Sequence, residues 1–512
     1  MSDPSGKSLL EQTAHGAGWM IAWRFATRVL GLVSTLTLVR LLLPADFGLV
    51  ALASSLSQAF GAFAALGVEE QVIREKDPGR AIYDTAFTLN VLRGLLTAAL
   101  VAMAAYPAAA FFREPRLATV MFATGFGLCL SAFENIGIVD FRREFAFHKE
   151  FRLFILPRIL GIALAIATAF VFRSYWALVV GILASRISRL VLSYGMHPYR
   201  PRLTLSAWRG MVAFSTWVWL TSIVGLLRGQ VDSFSIGRML GAAQFGIYSV
   251  GGEVAALPTT ELVEPMCRAT FSAFAAARNS GTAVLSTYRR VIGATAILTF
   301  PAGFGISLVA DPVVRLALGP KWLDAIPVIE VFGIGLLASS FGSIAGTMLA
   351  AHGRMGTSFR IGLVALLLRA AFVPILALHF GLVGAAAGAT ISIAGEQALF
   401  VASMSRGFGL RASHLLADVW RPLLGVGVMA CVLVGSGLGW SGGPGTMLHI
   451  AGRLALGSTV GAATFGAVVL LAWVATGRPD GAERDLLELG RRIRRRLVRL
   501  VWRRSAATAE QT

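Results

Sequence analysis

Apolar residues run along this chain in blocks of about 20, separated by short polar stretches rich in Arg, Gly and Pro. A block of that length, rising about 1.5 Å per residue, crosses the hydrocarbon core of a bilayer as a helix. Lipid offers the backbone no hydrogen-bond partners, so a spanning block must satisfy its own amides as a helix. The blocks do not alternate apolar with polar positions, which excludes a membrane β-barrel. The pattern predicts about fourteen spans, to within a few residues, at 18–42, 47–68, 86–110, 118–139, 153–172, 175–195, 211–237, 243–266, 290–310, 325–350, 358–378, 381–404, 420–440 and 450–476. The fold class expected is all-α and polytopic. Residues 1–17 are polar with no cleavable leader, so the first block is expected to stay in the membrane.

Basic residues then orient the spans. Loops after even-numbered spans, with the span ends that feed them, hold Arg74, Lys76 and Arg80, then Arg142, Arg143, Lys149 and Arg152, then Arg186, Arg189, Arg200, Arg202 and Arg209. Loops after odd-numbered spans hold only scattered ones such as Arg113, Arg173 and Lys321. By the positive-inside rule both termini are expected in the cytoplasm. Beyond the last span, Leu486–Arg504 interleaves Leu487, Ile493, Leu497 and Trp502 with eight arginines. That reads as a basic amphipathic helix lying on an anionic cytoplasmic leaflet.

Composition agrees with this picture. The chain is 56% hydrophobic and only 14% charged, far from a soluble domain. Its net charge of +19 would point to nucleic acid in a soluble protein, but here the cations sit in loops and tail, so no nucleic-acid partner is expected. Cys129, Cys267 and Cys431 show neither a pairing pattern nor metal-ligand spacing and read as small hydrophobes. No metal, cofactor or catalytic residue is expected. Gly439–Gly443 fits a nucleophile-elbow string without the strand–turn–helix around it, and no phosphate-cradling loop for ATP is present.

The chain also repeats itself. Arg40-Leu41-Leu42 followed by Phe47-Gly48 recurs 198 residues later as Arg238-Met239-Leu240 followed by Phe245-Gly246, each at the turn between two spans, and Arg93 recurs near that shift as Arg290. Six spans therefore repeat in parallel, with two added. The domains expected are an N-terminus at 1–17, six-helix bundles at 18–205 and 206–410, two further spans within 411–477 and a basic tail at 478–512. Parallel repeats are a transporter design with the site between the halves.

Ionisable residues inside spans are costly and are functional candidates by default. Arg24 and Arg28 share a face of span 1, and Arg228 and Asp232 share one of span 7. Arg158 opens span 5, Arg369 lies within span 11, Glu253 in span 8 and Glu396 in span 12. The arginines are expected to line a polar cavity and hold an anion through bidentate bonds, with the carboxylates as ion-pair or coupling groups. The competing reading is internal pairing, Arg228 with Asp232 along one helix.

The segment Gly229–Gly251 carries Asp232, then Ile236-Gly237, Leu240-Gly241 and Gly246-Ile247-Tyr248. It resembles the signature of Wzx-type polysaccharide flippases, a family within the multidrug/oligosaccharidyl-lipid/polysaccharide exporter superfamily. Val39–Ala51 is similar to the family's first turn, and Phe141–Phe151 to its basic-aromatic loop. The resemblance implies two six-helix bundles in a V around a central cavity. It also implies, as substrate, an oligosaccharide joined through pyrophosphate to a polyprenyl lipid, carried from the cytoplasmic to the periplasmic leaflet for O-antigen, capsule or exopolysaccharide. Membrane lipids, a polysaccharide polymerase and a chain-length regulator are the partners such a role brings, in a bacterial inner membrane. On this reading Arg28 and Arg228 hold the pyrophosphate, while Asp232 holds Arg228 when substrate is absent. A cation antiporter of the same fold would want an acidic cavity. A membrane polymerase or ligase would want a larger outer loop than this chain has.

Overall fold

In a computed structural model the described residues are 26–63, 72–73, 75, 78–144, 146–208, 216–276, 281–440, 442–443, 445–488 and 491. Among them there is no strand, and helices fall on the predicted spans. The helix α1 is described over 26–41. It is followed by α2 (Pro44–Phe63), α3 (Arg80–Phe112), α4 (Arg116–Ala132), α5 (Phe147–Phe172), α6 (Trp176–Met196) and α7 (Thr216–Met239). Then come α8 (Ala242–Ala276), α9 (Gly281–Leu308), α10 (Ala325–Ala351), α11 (Met355–Phe408), α12 (Ala412–Gly435) and α13 (Met447–Ala475). The backbone of α11 breaks at Gly381, whose φ of 60° lies in the left-handed region, so two predicted spans form one interrupted helix. Among the described residues seven helices are long and apolar enough to cross a bilayer unaided, and nine if two bent pairs are each one span. The chain is a multi-pass membrane protein. Its helices keep large apolar side chains outward, with Val171 74% and Leu448 84% exposed, as a lipid-facing surface requires.

The described residues group into two compact units. The first comprises those of Met1–Val250, Ala317–Asp324 and Arg369–Ala385. In it α5 packs on α6, α3 on α4, α4 on α6 and α2 on both α4 and α7. Small residues bring these backbones together: a Cβ on Gly161 would overlap Ser185 Oγ, and one on Gly94 would overlap the Ala132 methyl. The second comprises those of Gly251–Leu316, Ala325–Leu368 and Ala386–Thr512. There α9 packs on α10 and α12, and α12 on α13, around Tyr288, Phe300, Met348 and Met429. Trp440, in the loop after α12, donates its backbone N–H to the Leu308 carbonyl and its indole N–H to Ser307 Oγ, so this outer loop is fastened to α9.

The repeat has a spatial counterpart in the first unit. A Cβ on Gly48 would overlap the carbonyl oxygen of Ala242 and lie 2.8 Å from Gly246 N. A Cβ on Gly246 would overlap the carbonyl oxygen of Pro44 and lie 2.8 Å from Gly48 N. The pairs are related by one offset, 246 − 48 = 198 and 242 − 44 = 198, so each glycine seats on the helix start of its repeat partner. Only glycine permits that approach from both sides. The first turn is held by Pro44 at the opening of α2 and by Asp46, whose Oδ2 accepts the Leu43 N–H and whose Oδ1 accepts the Tyr175 N–H. Trp322, fully buried, donates its indole N–H to the Val39 carbonyl at 3.0 Å, satisfying one of the last carbonyls of α1.

One placement departs from expectation. Arg158, expected to open its span, lies well inside α5, because that helix begins at Phe147. The tail from 492 onward, and with it most of the expected amphipathic helix, lies outside the described residues.

Candidate functional site

Asp232 is placed by α7 in the interior of the first unit, its side chain only 11% exposed. A carboxylate there needs partners. Arg369 from α11 supplies a bidentate pair, Nε to Oδ1 at 2.8 Å and Nη2 to Oδ2 at 2.5 Å. Tyr248, 16 residues on and buried in α8, donates its hydroxyl to Oδ2 at 2.8 Å. Thus three helices converge on one carboxylate. The i, i+4 pairing with Arg228 is replaced by a guanidinium 137 residues away, because the fork of Arg369 meets both oxygens at once. Arg228 lies one turn before Asp232 on α7, half-buried. Beside this centre, Ser55 of α2 donates to Gln230 Oε1 and shares a hydrogen bond with Ser233 Oγ, both at 2.8 Å. Gln230 returns its amide to the Ser55 carbonyl at 3.1 Å.

The remaining candidates are distributed as follows. Arg28 sits half-buried in α1. Arg158 of α5 directs Nη2 to within 3.0 Å of where a Cβ on Gly31 would stand, and Gly31 is three residues beyond Arg28. Arg158 therefore approaches α1 about one turn from Arg28. Arg24 lies outside the described residues. Glu253 is exposed on α8 and Glu396 half-buried on α11, both in the second unit.

Sequence reasoning missed two groups. Tyr248 stands inside the flippase-like segment, but its hydroxyl reaches Asp232 only once the α7–α8 hairpin has closed. Arg186 and Arg189 were counted as cytoplasmic flank charges. They lie within α6, Arg186 as residue 186 − 176 + 1 = 11 of its 21. Arg189 Nε is 2.9 Å from Glu134 Oε2, and its guanidinium lies over the Phe154 ring at 4.4 Å. Two arginines three apart inside an apolar run were the available signal.

At the end of the first unit where α3 begins, Asn135 Oδ1 accepts the Gly137 N–H at 3.0 Å while its amide donates to the Tyr199 carbonyl at 2.7 Å. Tyr199 donates to Asp84 at 2.8 Å, and burial followed by that bond raises its phenol well above the ordinary tyrosine range. His197 accepts the Tyr199 N–H at Nδ1 and turns Nε2 to Asp140 Oδ2 at 3.5 Å. Burial lowers its imidazole below the ordinary value against the pull of Asp140.

Comparison with known proteins places this architecture. The family described as "Polysaccharide biosynthesis protein" matches residues 37–327. The chain is 24% identical over 382 residues to the lipopolysaccharide biosynthesis protein WzxC of Escherichia coli (strain K12), covering 74% of this chain and 77% of that one. It is 25% identical over 335 residues to the succinoglycan biosynthesis transport protein ExoT of Rhizobium meliloti (strain 1021), covering 64% and 66%. Among solved structures, the lipid II flippase MurJ in an inward closed conformation is similar with a TM-score of 0.70 at 14% identity, covering 90% of this chain and all of that one. At that identity the likeness is one of fold.

Proposed function

The chain belongs to the polysaccharide biosynthesis protein family, and from that premise we propose that it flips a polyprenyl-pyrophosphate-linked oligosaccharide from the cytoplasmic to the periplasmic leaflet. The Wzx-type resemblance drawn from Gly229–Gly251 and the first turn is borne out by the relatives named above. The observation that carries the reading is the buried Asp232–Arg369–Tyr248 centre beside the Ser55–Gln230–Ser233 bonds. A sugar head group cannot cross hydrocarbon unaided, since each unpaired hydroxyl is expensive to bury. Polar walls supply substitute partners, while the lipid tail stays in the bilayer. Asp232 is already paired with one guanidinium and bonded by one hydroxyl, which argues against a cation antiporter needing a free carboxylate.

In this proposal the protein spans the bacterial inner membrane about fourteen times with both termini inside, as two repeats at 18–205 and 206–410, a further pair of spans and a basic tail on the cytoplasmic leaflet. Arg28 and Arg158, whose side chain approaches α1 at Gly31, meet the pyrophosphate from one repeat and Arg228 from the other, with Arg24 kept as a further candidate from the sequence. Asp232 and Arg369 act as a switch: the pair is intact in one state and exchanged for substrate contacts in another, giving the differential interaction that alternating access needs. Glu253 and Glu396 remain candidates for coupling, and a polymerase and chain-length regulator for partners. The chain itself performs no bond chemistry in this reading. Reporter fusions should place Arg173 in the periplasm and Arg202 in the cytoplasm. The deciding test is proteoliposome transport of a fluorescent polyprenyl-pyrophosphate oligosaccharide, with surface polysaccharide measured in a complemented deletion strain. Arg28→Ala and Arg158→Ala together should abolish both at normal protein abundance. Transport undiminished in that double variant removes the proposed site.

A further inference from the structure

Arg186 is a cation inside a membrane helix. It occupies the middle of α6, a helix long and apolar enough to cross a bilayer, about 15 Å from either end. Its Nη1 is buried with no hydrogen-bond partner, while the side chain as a whole is only partly covered. The stem lies on Gly127 of α4: a Cβ there would stand 3.0 Å from Arg186 Cδ and 3.4 Å from Nε. Glycine thus makes the berth in which the guanidinium root rests. Glu134, in the turn after α4, and Arg189 of α6 are the charged groups whose fields reach it. Arg189 holds Glu134 by charge at 2.9 Å, yet its own Nε–H points out of line and makes no hydrogen bond. One carboxylate therefore serves two guanidiniums, and two buried N–H groups lack acceptors. A buried donor without an acceptor is expensive, and more so on a charged group.

An anion with more than one acceptor oxygen would supply the missing partners. A planar guanidinium with a free edge fits a phosphoryl group. Depth identifies its source. A resident phospholipid keeps its phosphate at the interface, whereas a head group in transit brings one to mid-membrane. We propose that Arg186, with Arg189 beside it, is a docking site at mid-depth for the pyrophosphate of the lipid-linked substrate, additional to Arg28, Arg158 and Arg228. This rests on the flippase reading. Glu134 offsets one of the two positive charges of the empty site by holding Arg189, and the arriving anion is drawn to the charge that remains.

The test is binding of undecaprenyl pyrophosphate to the full-length protein in nanodiscs, by native mass spectrometry, with phosphatidylglycerol as a second ligand. Arg186→Gln should weaken binding of the pyrophosphate lipid by about tenfold or more, the worth of a charge-assisted hydrogen bond, and leave phosphatidylglycerol unaffected. Arg186→Lys keeps the charge without the fork and serves if the glutamine variant is poorly folded; it should weaken binding less. Gly127→Ala keeps the arginine but crowds its root, and should also weaken binding. If wild-type protein binds and all three variants bind equally well, this inference falls while the flippase reading stands. Equal losses for phosphatidylglycerol would make the site a phospholipid site and overturn it. A wild-type protein that binds no undecaprenyl pyrophosphate would overturn both readings.

Discussion

The α7–α8–α11 centre and the pair formed by α6 with the turn after α4 are built from the same groups, carboxylate and guanidinium, and they differ in completeness. At the first, Asp232 receives two bonds from Arg369 and one from Tyr248. At the second, Arg186 Nη1 and Arg189 Nε are buried without hydrogen bonds, although Glu134 is near. A closed pair stabilises one arrangement and resists opening. An incomplete one holds free energy that a ligand releases on binding. The same residue types therefore serve as lock at one place and as receptor at another, and the hydrogen-bond geometry tells them apart.

The largest effect should come from breaking the closed centre. Arg369→Ala leaves Asp232 buried with Tyr248 alone, a loss of about 3–5 kcal/mol for a buried pair deprived of one partner. We expect little protein in the membrane by blot, whereas Arg186→Gln should accumulate like wild type. Asp232→Asn combined with Arg369→Gln should recover abundance, since no charge is left unpaired, without recovering export. Normal accumulation of Arg369→Ala would erase the distinction between lock and receptor.

Next in size is Gly246→Ala. The added methyl would meet the Pro44 carbonyl oxygen, shift α8 and carry Tyr248 with it. Overpacking of this kind costs about 1–3 kcal/mol, read as a lower melting temperature in detergent. Gly48→Ala should behave alike, because the contact is reciprocal. A large difference between the two variants would deny the spatial repeat.

Tyr248→Phe is milder. It removes one of three bonds to Asp232 and should cost about 1 kcal/mol, with faster transport if the pair must open during the cycle. An unchanged melting temperature and rate would show that the tyrosine only fills space.

The smallest effect lies at the aqueous rim. Burial lowers the His197 imidazole below its ordinary value, so the unfolded chain binds more protons than the folded one, and stability rises with pH through that window. Melting temperature should fall modestly as pH drops below the ordinary histidine value of about 6.5, and His197→Gln should flatten that slope. Guanidinium groups do not titrate there, so the variants at Arg369 and Arg186 should keep the wild-type pH dependence. If His197→Gln leaves the slope intact, another group carries it.

Much of this architecture was legible in the residues alone. Blocks of about 20 apolar residues dictate spanning helices in any lipid environment, because backbone amides there must pair within their own segment. The flippase-like character could be read from Asp232 through Tyr248, and the repeat from Phe47-Gly48 and Phe245-Gly246, since glycine and turn chemistry are local. The partner of Asp232 was not legible. Arg228 was the near choice along one helix, while Arg369 wins from 137 residues away because only the packed fold brings its fork to both carboxylate oxygens. Nor was Arg186 separable from the flank charges: hydropathy sums over a window and blurs a single cation, and its isolation is visible only against Gly127 and Glu134. Periodicity and turns follow from interactions along the chain, which the sequence contains. Which charge is satisfied and which waits for a ligand follows from faces meeting across helices, and only the tertiary structure decides that.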